Sequence, residues 1–350
     1  MTCVPEICPP KKSAGRNKRL IVFLVIICLL SCFLSESFSQ TRDPARISIL
    51  IATGMPGGTY YHVGLGMASL WTTRLREAGI RVSAAMSEGS MENIEAIRIA
   101  DADLILVEDL FCSMAVTGTG LFRGQPVPEL RSITALWPDV LHLLIRSDKI
   151  STGALQDLDG LSLATGLPDS GNRFVTELLL RSLKGSRPKP RLRPMSNLAA
   201  AEALRKGLVD GIDFTGGVPI PLVAQLFNEG KSLLGFLEIS EGQMESVREE
   251  GWKNVFRVTI PAGSYSGQEK PVNTLGHTNM LAVTSSLNPD VVYALTKSLY
   301  ENLDYLIRVH PACKSISLEK ALEKLNVPLH KGALRYYKER KIKIPEHLIH

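Results

Sequence analysis

The residues of this chain best suited to chemistry lie in four short stretches rich in glycine, serine and threonine, at 54–59, 87–90, 169–172 and 215–217. Each follows a predicted strand and opens a helix or a further turn. The first N–H groups of a helix have no partner within it and sit at the positive end of its dipole. Glycine lets backbone approach a ligand closely, and serine or threonine hydroxyls add donors. Such turns together can hold a small anion without any cationic side chain. The candidate contacts are Gly57, Gly58, Thr59 and Tyr60, then Ser87 and Ser90, then Ser170, Gly171 and Asn172, and finally Thr215, Gly216 and Gly217. Ordinary capped connections would explain any one of these turns. Four at matching places favour a binding cradle. Tyr60 either stacks on the ligand or packs.

Other chemistries find little support. The first turn lacks the Gly-Lys-Ser/Thr ending of a phosphate-binding loop, and it is not the dinucleotide fingerprint. Ser170 has no GxSxG elbow around it. His62, His142, His277 and His310 are scattered along the chain. There is no CxxC and no HExxH, so neither a metal site nor a cofactor is expected, and no acid and base stand at a recognisable spacing. The expectation is a binding protein, not an enzyme. Tyr265 closes the turn 259–265, which is either near a cleft or a plain surface loop.

These turns need rigid elements behind them. Apolar strands are predicted at 47–52, 80–85, 104–107, 140–145, 161–164 and 211–214. Helices are predicted at 60–75, with Val63, Met67, Leu70 and Trp71 on one face, at 91–99 with Ser90 as N-cap, at 173–183 and at 198–206. The segment 185–194 reads as an exposed turn. A long helix starts at Pro289, with Asn288 as N-cap, and runs to about Val309; shorter ones follow at 317–325 and 331–340. The pattern is α/β with mostly parallel strands, twice over. Two such lobes leave a cleft that the strand C-ends face.

The chain has 350 residues, 45% apolar content and a net charge of +5. No block of Lys and Arg interleaved with aromatics occurs in its body, which argues against nucleic acid as a partner. Lys11, Lys12, Arg16, Lys18 and Arg19 precede an apolar run at 20–34 and then Ser35, Ser37 and Ser39. That order is a secretory signal, so residues 1–39 are expected to be a leader and the mature chain periplasmic. The run is short for a membrane span. Cys32 could instead carry a lipid anchor. Only Cys112 and Cys313 remain beyond the leader, either paired or, as small apolar side chains, buried.

In order and spacing, several stretches resemble the TAXI family of solute receptors that serve TRAP transporters. They are Ile51-Ala52-Thr53-Gly54-Met55-Pro56-Gly57-Gly58-Thr59-Tyr60-Tyr61, Gly89-Ser90-Met91-Glu92-Asn93, Thr215-Gly216-Gly217-Val218-Pro219, Ile260-Pro261-Ala262-Gly263-Ser264-Tyr265, Val291-Val292-Tyr293-Ala294-Leu295-Thr296-Lys297 and Pro328-Leu329-His330-Lys331-Gly332-Ala333. The resemblance runs from about Ile47 to Arg340. It implies a two-lobed periplasmic-binding-protein fold of type II kind with the ligand cleft between the lobes. It implies a small organic acid or amino acid as ligand and integral-membrane TRAP permease subunits as partners. By motif position, Gly57, Gly58, Thr59 and Tyr60 would touch ligand from lobe one, and Ser170, Gly171, Thr215 and Gly217 from lobe two. Glu88, Glu108, Asp109 and Arg173 depart from the family's usual residues and put the ligand, more than the fold, in question. A ligand-sensing component of a signalling system on the same fold is the alternative function.

Lobe one is expected at 46–137 plus 276–350 and lobe two at 138–275. Glu108 and Asp109 follow an apolar strand whose end should face the cleft. A dry unpaired carboxylate there would cost several kcal/mol. Glu108 therefore has three possible partners: solvent at the cleft lip, Arg173 from the other lobe, or a cationic group on the ligand.

Overall fold

The structure, a computed structural model, describes residues 47–168, 170–183, 189–229 and 233–349. The leader, Cys32 and Asp169 lie outside the described residues.

Strand β1 (Ile47–Ala52) pairs in parallel with β2 (Ile80–Ala85) on one side and β3 (Leu104–Glu108) on the other. Helix α1 (Thr59–Arg74) connects β1 to β2, and α2 (Ser90–Arg98) connects β2 to β3. The side chains of Val63, Met67, Leu70 and Trp71 in α1 are buried, as their helical spacing predicts. Every residue of β3 is buried, and the chain passes from it directly into α3 (Asp109–Thr117).

Two long strands then organise the molecule. β4 (Leu130–Arg146) and β10 (Val272–Thr284) pair antiparallel, with His277 opposite Asp139 and Gly276 opposite Val140. Between them in sequence come β5 (Ser162–Thr165), α4 (Gly171–Ser182), β6 (Arg191–Pro194), α5 (Asn197–Arg205), β7 (Gly211–Gly216), α6 (Pro221–Glu229), β8 (Leu234–Phe236), α7 (Glu241–Glu249) and β9 (Phe256–Ile260). The strand order is β2-β1-β3-β10-β4-β7-β5-β6, with β8 on β4 and β9 on β10. Helices α8 (Pro289–Tyr300), α9 (Leu303–Val309) and α10 (Lys331–Glu339) return to the same core as the first strands, α8 and α9 packing on α1 and α10 on α8.

The apolar cores divide with this path. One cluster joins buried residues from Ile49 to Trp137 with those from Met280 to Leu348. Two others lie wholly within the span from Val140 to Leu275. The chain is thus a two-lobed α/β protein whose lobes share β4 and β10. Among the described residues no helix is long and apolar enough to cross a membrane. Cys112 and Cys313 are buried free thiols.

Several sequence expectations need correction. The sheet is mixed, because β10 runs antiparallel to β3 and β4, and β4 antiparallel to β7. The strand expected at 140–145 is the last third of β4. Ser90 is the first residue of α2, and Gly89 is its N-cap, with a φ of 109° that suits glycine. The long C-terminal helix breaks between Tyr300 and Leu303. There the Asn302 side chain donates to the Ser298 carbonyl, a local bond that competes with helix propagation. The helix expected at 317–325 is a series of turns, since Ala321 gives its carbonyl to the Ala135 N–H of β4. Arg191–Pro194, expected to be a turn, is the edge strand beside β5. The helices α3, α6 and α7 were not anticipated. α7 begins with a Ser240–Gln243 capping box.

The loop after β4 is organised by one carboxylate. Asp157 accepts from the hydroxyls of Ser151 and Thr152 and from the N–H groups of Ser151, Thr152 and Gly153. Burial by itself would raise its pKa, but these donors outweigh burial and hold the carboxyl well below the usual range. Asp157→Ala should cost about 2–3 kcal/mol in urea unfolding at pH 7, the range for losing a charged acceptor with several donors. A depressed carboxyl stabilises above its unfolded pKa of about 4 and loses that contribution as pH falls. The gap between wild type and variant should therefore shrink on acidification.

Candidate functional site

A cavity of about 90 Å³ lies between the lobes and is lined from both sides. Four helix N-termini border it. They are Gly58, Thr59 and Tyr60 at α1, Gly89 and Ser90 at α2, Ser170, Gly171 and Asn172 at α4, and Ser196 and Asn197 at α5. Gly58 and Gly89 cap their helices without any side-chain bond, which leaves first-turn N–H groups to other acceptors. α4 and α5 are capped by Ser170 and Ser196, which accept from Arg173 and Ala199. Thr215 and Gly216, at the end of β7, complete that wall. No Lys or Arg stands among the described lining residues. What these lining residues offer an anion is backbone N–H groups and helix dipoles.

Asn93 holds the first two helix starts in place. Its Nδ2 donates to the carbonyls of Thr53 and Leu106, each at 2.7 Å, and its Oδ1 accepts from Ser87 at 2.6 Å. The ends of β1 and β3 and the turn before α2 are thereby joined through one buried amide. Ser90 adds a further tie, its Oγ accepting from the Glu108 N–H at 3.1 Å.

The structure brings ten of the predicted residues to the cavity: Gly58, Thr59, Tyr60, Ser90, Glu108, Ser170, Gly171, Asn172, Thr215 and Gly216. Four others do not line it. Ser87 is buried and spends its hydroxyl on Asn93 while accepting from the Gly89 N–H. Gly57 accepts from the Leu222 N–H at 3.1 Å, joining the lobes beside the cavity. Gly217 does the same through its carbonyl, which accepts from the Thr59 hydroxyl at 3.1 Å. Tyr265, placed by sequence near a cleft or surface, belongs to the core of the second lobe. It stacks on Phe227, and its hydroxyl accepts from the Ile220 N–H and donates to His142 Nε2 at 2.7 Å. Asn172 and Thr215 are bonded to each other at 2.6 Å, so they shape the wall as much as they offer contacts.

The floor of the cavity has the opposite polarity. Glu108 and Asp139 both line it and are buried, 6% and 4% exposed. Glu108 Oε2 and Asp139 Oδ1 make no hydrogen bond within the described protein. Burial, and then the neighbouring Asp139 charge, raise the Glu108 carboxyl well above its ordinary value. Asp139 is raised by burial as well. Asn279 and Trp137 lie near enough to draw it partly back, although neither nitrogen reaches hydrogen-bond geometry. Tyr60 closes the floor, its hydroxyl donating to Asn279 Oδ1 and its ring edge-on to Trp137. Burial, followed by the Asp139 and Glu108 charges, raises the Tyr60 pKa.

Two of the partners considered for Glu108 fall away. Arg173 turns to Glu177, one helical turn on, at 2.8 Å. Solvent at an open lip does not describe a side chain this buried. His277, counted among the scattered histidines, stands directly behind the pair, with Nδ1 3.6 Å from Glu108 Oε2. Asp139 went unnoticed in sequence. The only available signal was its place two residues beyond Trp137 in an apolar run, which puts both on one strand face.

Two α/β lobes joined by shared strands, with a cavity between them lined from both sides, define the periplasmic-binding-protein class of fold. Residues 51–340 match the NMT1-like family, and the chain belongs to that family. Among solved structures it is similar to a protein of Bordetella bronchiseptica RB50, at 16% identity and a TM-score of 0.50, over 85% of this chain and 90% of that one. It also resembles an ancestral arginine-binding protein bound to arginine, at 11% identity and a TM-score of 0.46, over 76% of this chain and 97% of that one. The GluR0 ligand-binding core of Nostoc punctiforme in complex with L-glutamate matches at 14% identity and a TM-score of 0.43, over 74% of this chain and 97% of that one.

Proposed function

We propose that this chain is the extracytoplasmic solute receptor of a TRAP-type secondary transporter, of the TAXI kind. In this reading the leader 1–39 directs export to the periplasm. Lobe one, 46–137 plus 276–350, and lobe two, 138–275, close on a small organic acid or amino acid and deliver it to membrane permease subunits. The protein binds its solute and does not transform it. The observation that carries the reading is the convergence of four helix N-termini on one small cavity whose described lining has no basic side chain. Such a cavity suits a carboxylate held by backbone N–H groups. Its volume is below the roughly 150 Å³ that admits benzene, which favours a compact solute.

Native mass spectrometry of freshly purified protein tests this. A carboxylate-bearing metabolite should co-purify, and adding it to stripped protein should reduce the radius of gyration in solution scattering. Finding no carboxylate that binds, or a bound metabolite that is chemically turned over, would remove the proposal.

A further inference from the structure

Behind the cradle, Glu108, Asp139 and His277 form a cluster drawn from three strands. Each offers one ligand atom, and the three atoms lie within 4.8 Å of one another. Their meeting follows from pairing register. Asp139 faces His277 across β4 and β10, and Glu108 faces Asn279, two residues on along the same face of β10. His277 is 2% exposed, and neither ring nitrogen has a hydrogen-bond partner among the described residues. Trp252 packs on its ring at 5.0 Å and holds it in place.

We infer that Glu108, Asp139 and His277 form a binding site for one divalent first-row metal cation such as Mn²⁺ or Zn²⁺. The 3.6 Å between His277 Nδ1 and Glu108 Oε2 is too long for a hydrogen bond. It is close to the spacing of two ligands on one ion. Bonds of about 2.1 Å set neighbouring ligands roughly 3.0–3.4 Å apart, so this pair needs to draw in by about 0.2–0.6 Å and the remaining distances, all within 4.8 Å, by no more than about 1.8 Å. Two carboxylate oxygens and an imidazole nitrogen suit this class of ion. Its two charges balance two carboxylates that no described Lys or Arg pairs with. A buried carboxylate without such compensation is costly. Glu108 and Asp139 also line the cavity, so the ion's remaining positions face the space where a solute would sit. An ammonium group on a solute is the competing occupant. His277 favours the metal, because it does not line the cavity, so an ammonium group in the cavity leaves its ring unused, whereas one ion among the three ligand atoms takes all of them.

The test uses the full chain, treated with chelator and titrated with MnCl₂ in the absence of any solute, so its outcome is separate from that of the solute-receptor reading. One Mn²⁺ per chain should bind, and its pulsed electron-spin-resonance signal should show coupling to an imidazole nitrogen. Glu108→Gln and Asp139→Asn, which keep side-chain shape, should each weaken Mn²⁺ by more than roughly 100-fold, beyond the 10–100-fold that outer partners of a metal contribute. His277→Gln should remove the nitrogen coupling. Absence of stoichiometric binding, or binding that Glu108→Gln and His277→Gln leave unchanged, overturns the site. So does a wild type that takes up no metal but in which Glu108→Gln selectively weakens amino acids relative to their oxo acids, since the carboxylates would then serve an ammonium group.

Discussion

Gly171→Val should abolish tight solute binding while leaving the chain folded. A Cβ at Gly171 would stand 2.7 Å from Phe111 Cε2 and 3.3 Å from Glu108 Oε1, both of the opposite lobe. Phe111 is fully buried and set edge-on against Phe174, so its ring has nowhere to turn. Nothing in the backbone at Gly171, the first residue of α4, forbids a side chain when the lobes are apart. The penalty therefore falls on closure. Overpacking of this kind costs about 1–3 kcal/mol, and a branched residue against a fixed ring belongs at the upper end. That is roughly 100-fold in Kd. Calorimetry with the co-purified solute reads it directly, and circular dichroism confirms folding. Native affinity in a folded Gly171→Val protein would mean that solute binding does not require this approach of the lobes.

Asn93→Ala carries the largest stability effect. Its amide is fully buried and serves two carbonyls and one hydroxyl. Truncation leaves the Leu106 carbonyl without that donor in a dry site, and the Thr53 carbonyl with the Ser87 hydroxyl at 3.2 Å. An orphaned buried group costs about 1–3 kcal/mol, and loss of the second amide bond and of the side chain's packing adds to it, so the expected loss is about 2–4 kcal/mol, in the upper part of the range for single substitutions. Urea unfolding should show a lower midpoint with an unchanged slope. Asn93→Asp should be no rescue, since a carboxylate would face two carbonyl oxygens. A loss under about 1 kcal/mol would show that the helix starts are held by packing alone. Where the variant still folds, solute affinity should also fall, because Asn93 aligns the N-termini of α1 and α2.

The cradle was legible because its chemistry is local. Gly-rich turns after strands, such as those ending at Thr59 and Ser90, announce helix starts through backbone rules that act over a few residues. The long-range parts were not legible. Tyr265 sits in a turn whose residues suit a surface, and only its bonds to Ile220 and His142 show it to be core. Arg173 carries the right charge to meet Glu108, yet Glu177 lies one turn away on the same helix and takes it first. Helix α3 was missed because β3 runs into it without a turn, so neither Gly nor Pro marks the change.

By itself, then, the sequence determined the α/β alternation, the four turns and the apolar faces behind them, all of which follow from periodicity and turn chemistry within short windows. The floor of the cavity was decided only in three dimensions. Glu108, Asp139 and His277 are 31 and 138 residues apart, and no motif links them. They meet because β10 enters between β3 and β4, antiparallel to both, in a register against β4 that holds from Gly276 to Thr278 and shifts only beyond it. A slip of one residue would turn every side chain of β10 to the other face and separate His277 from both carboxylates. Alternation along a strand tells which residues share a face. Which residues of other strands they will confront depends on pairing, and pairing is settled by the packing of the whole sheet.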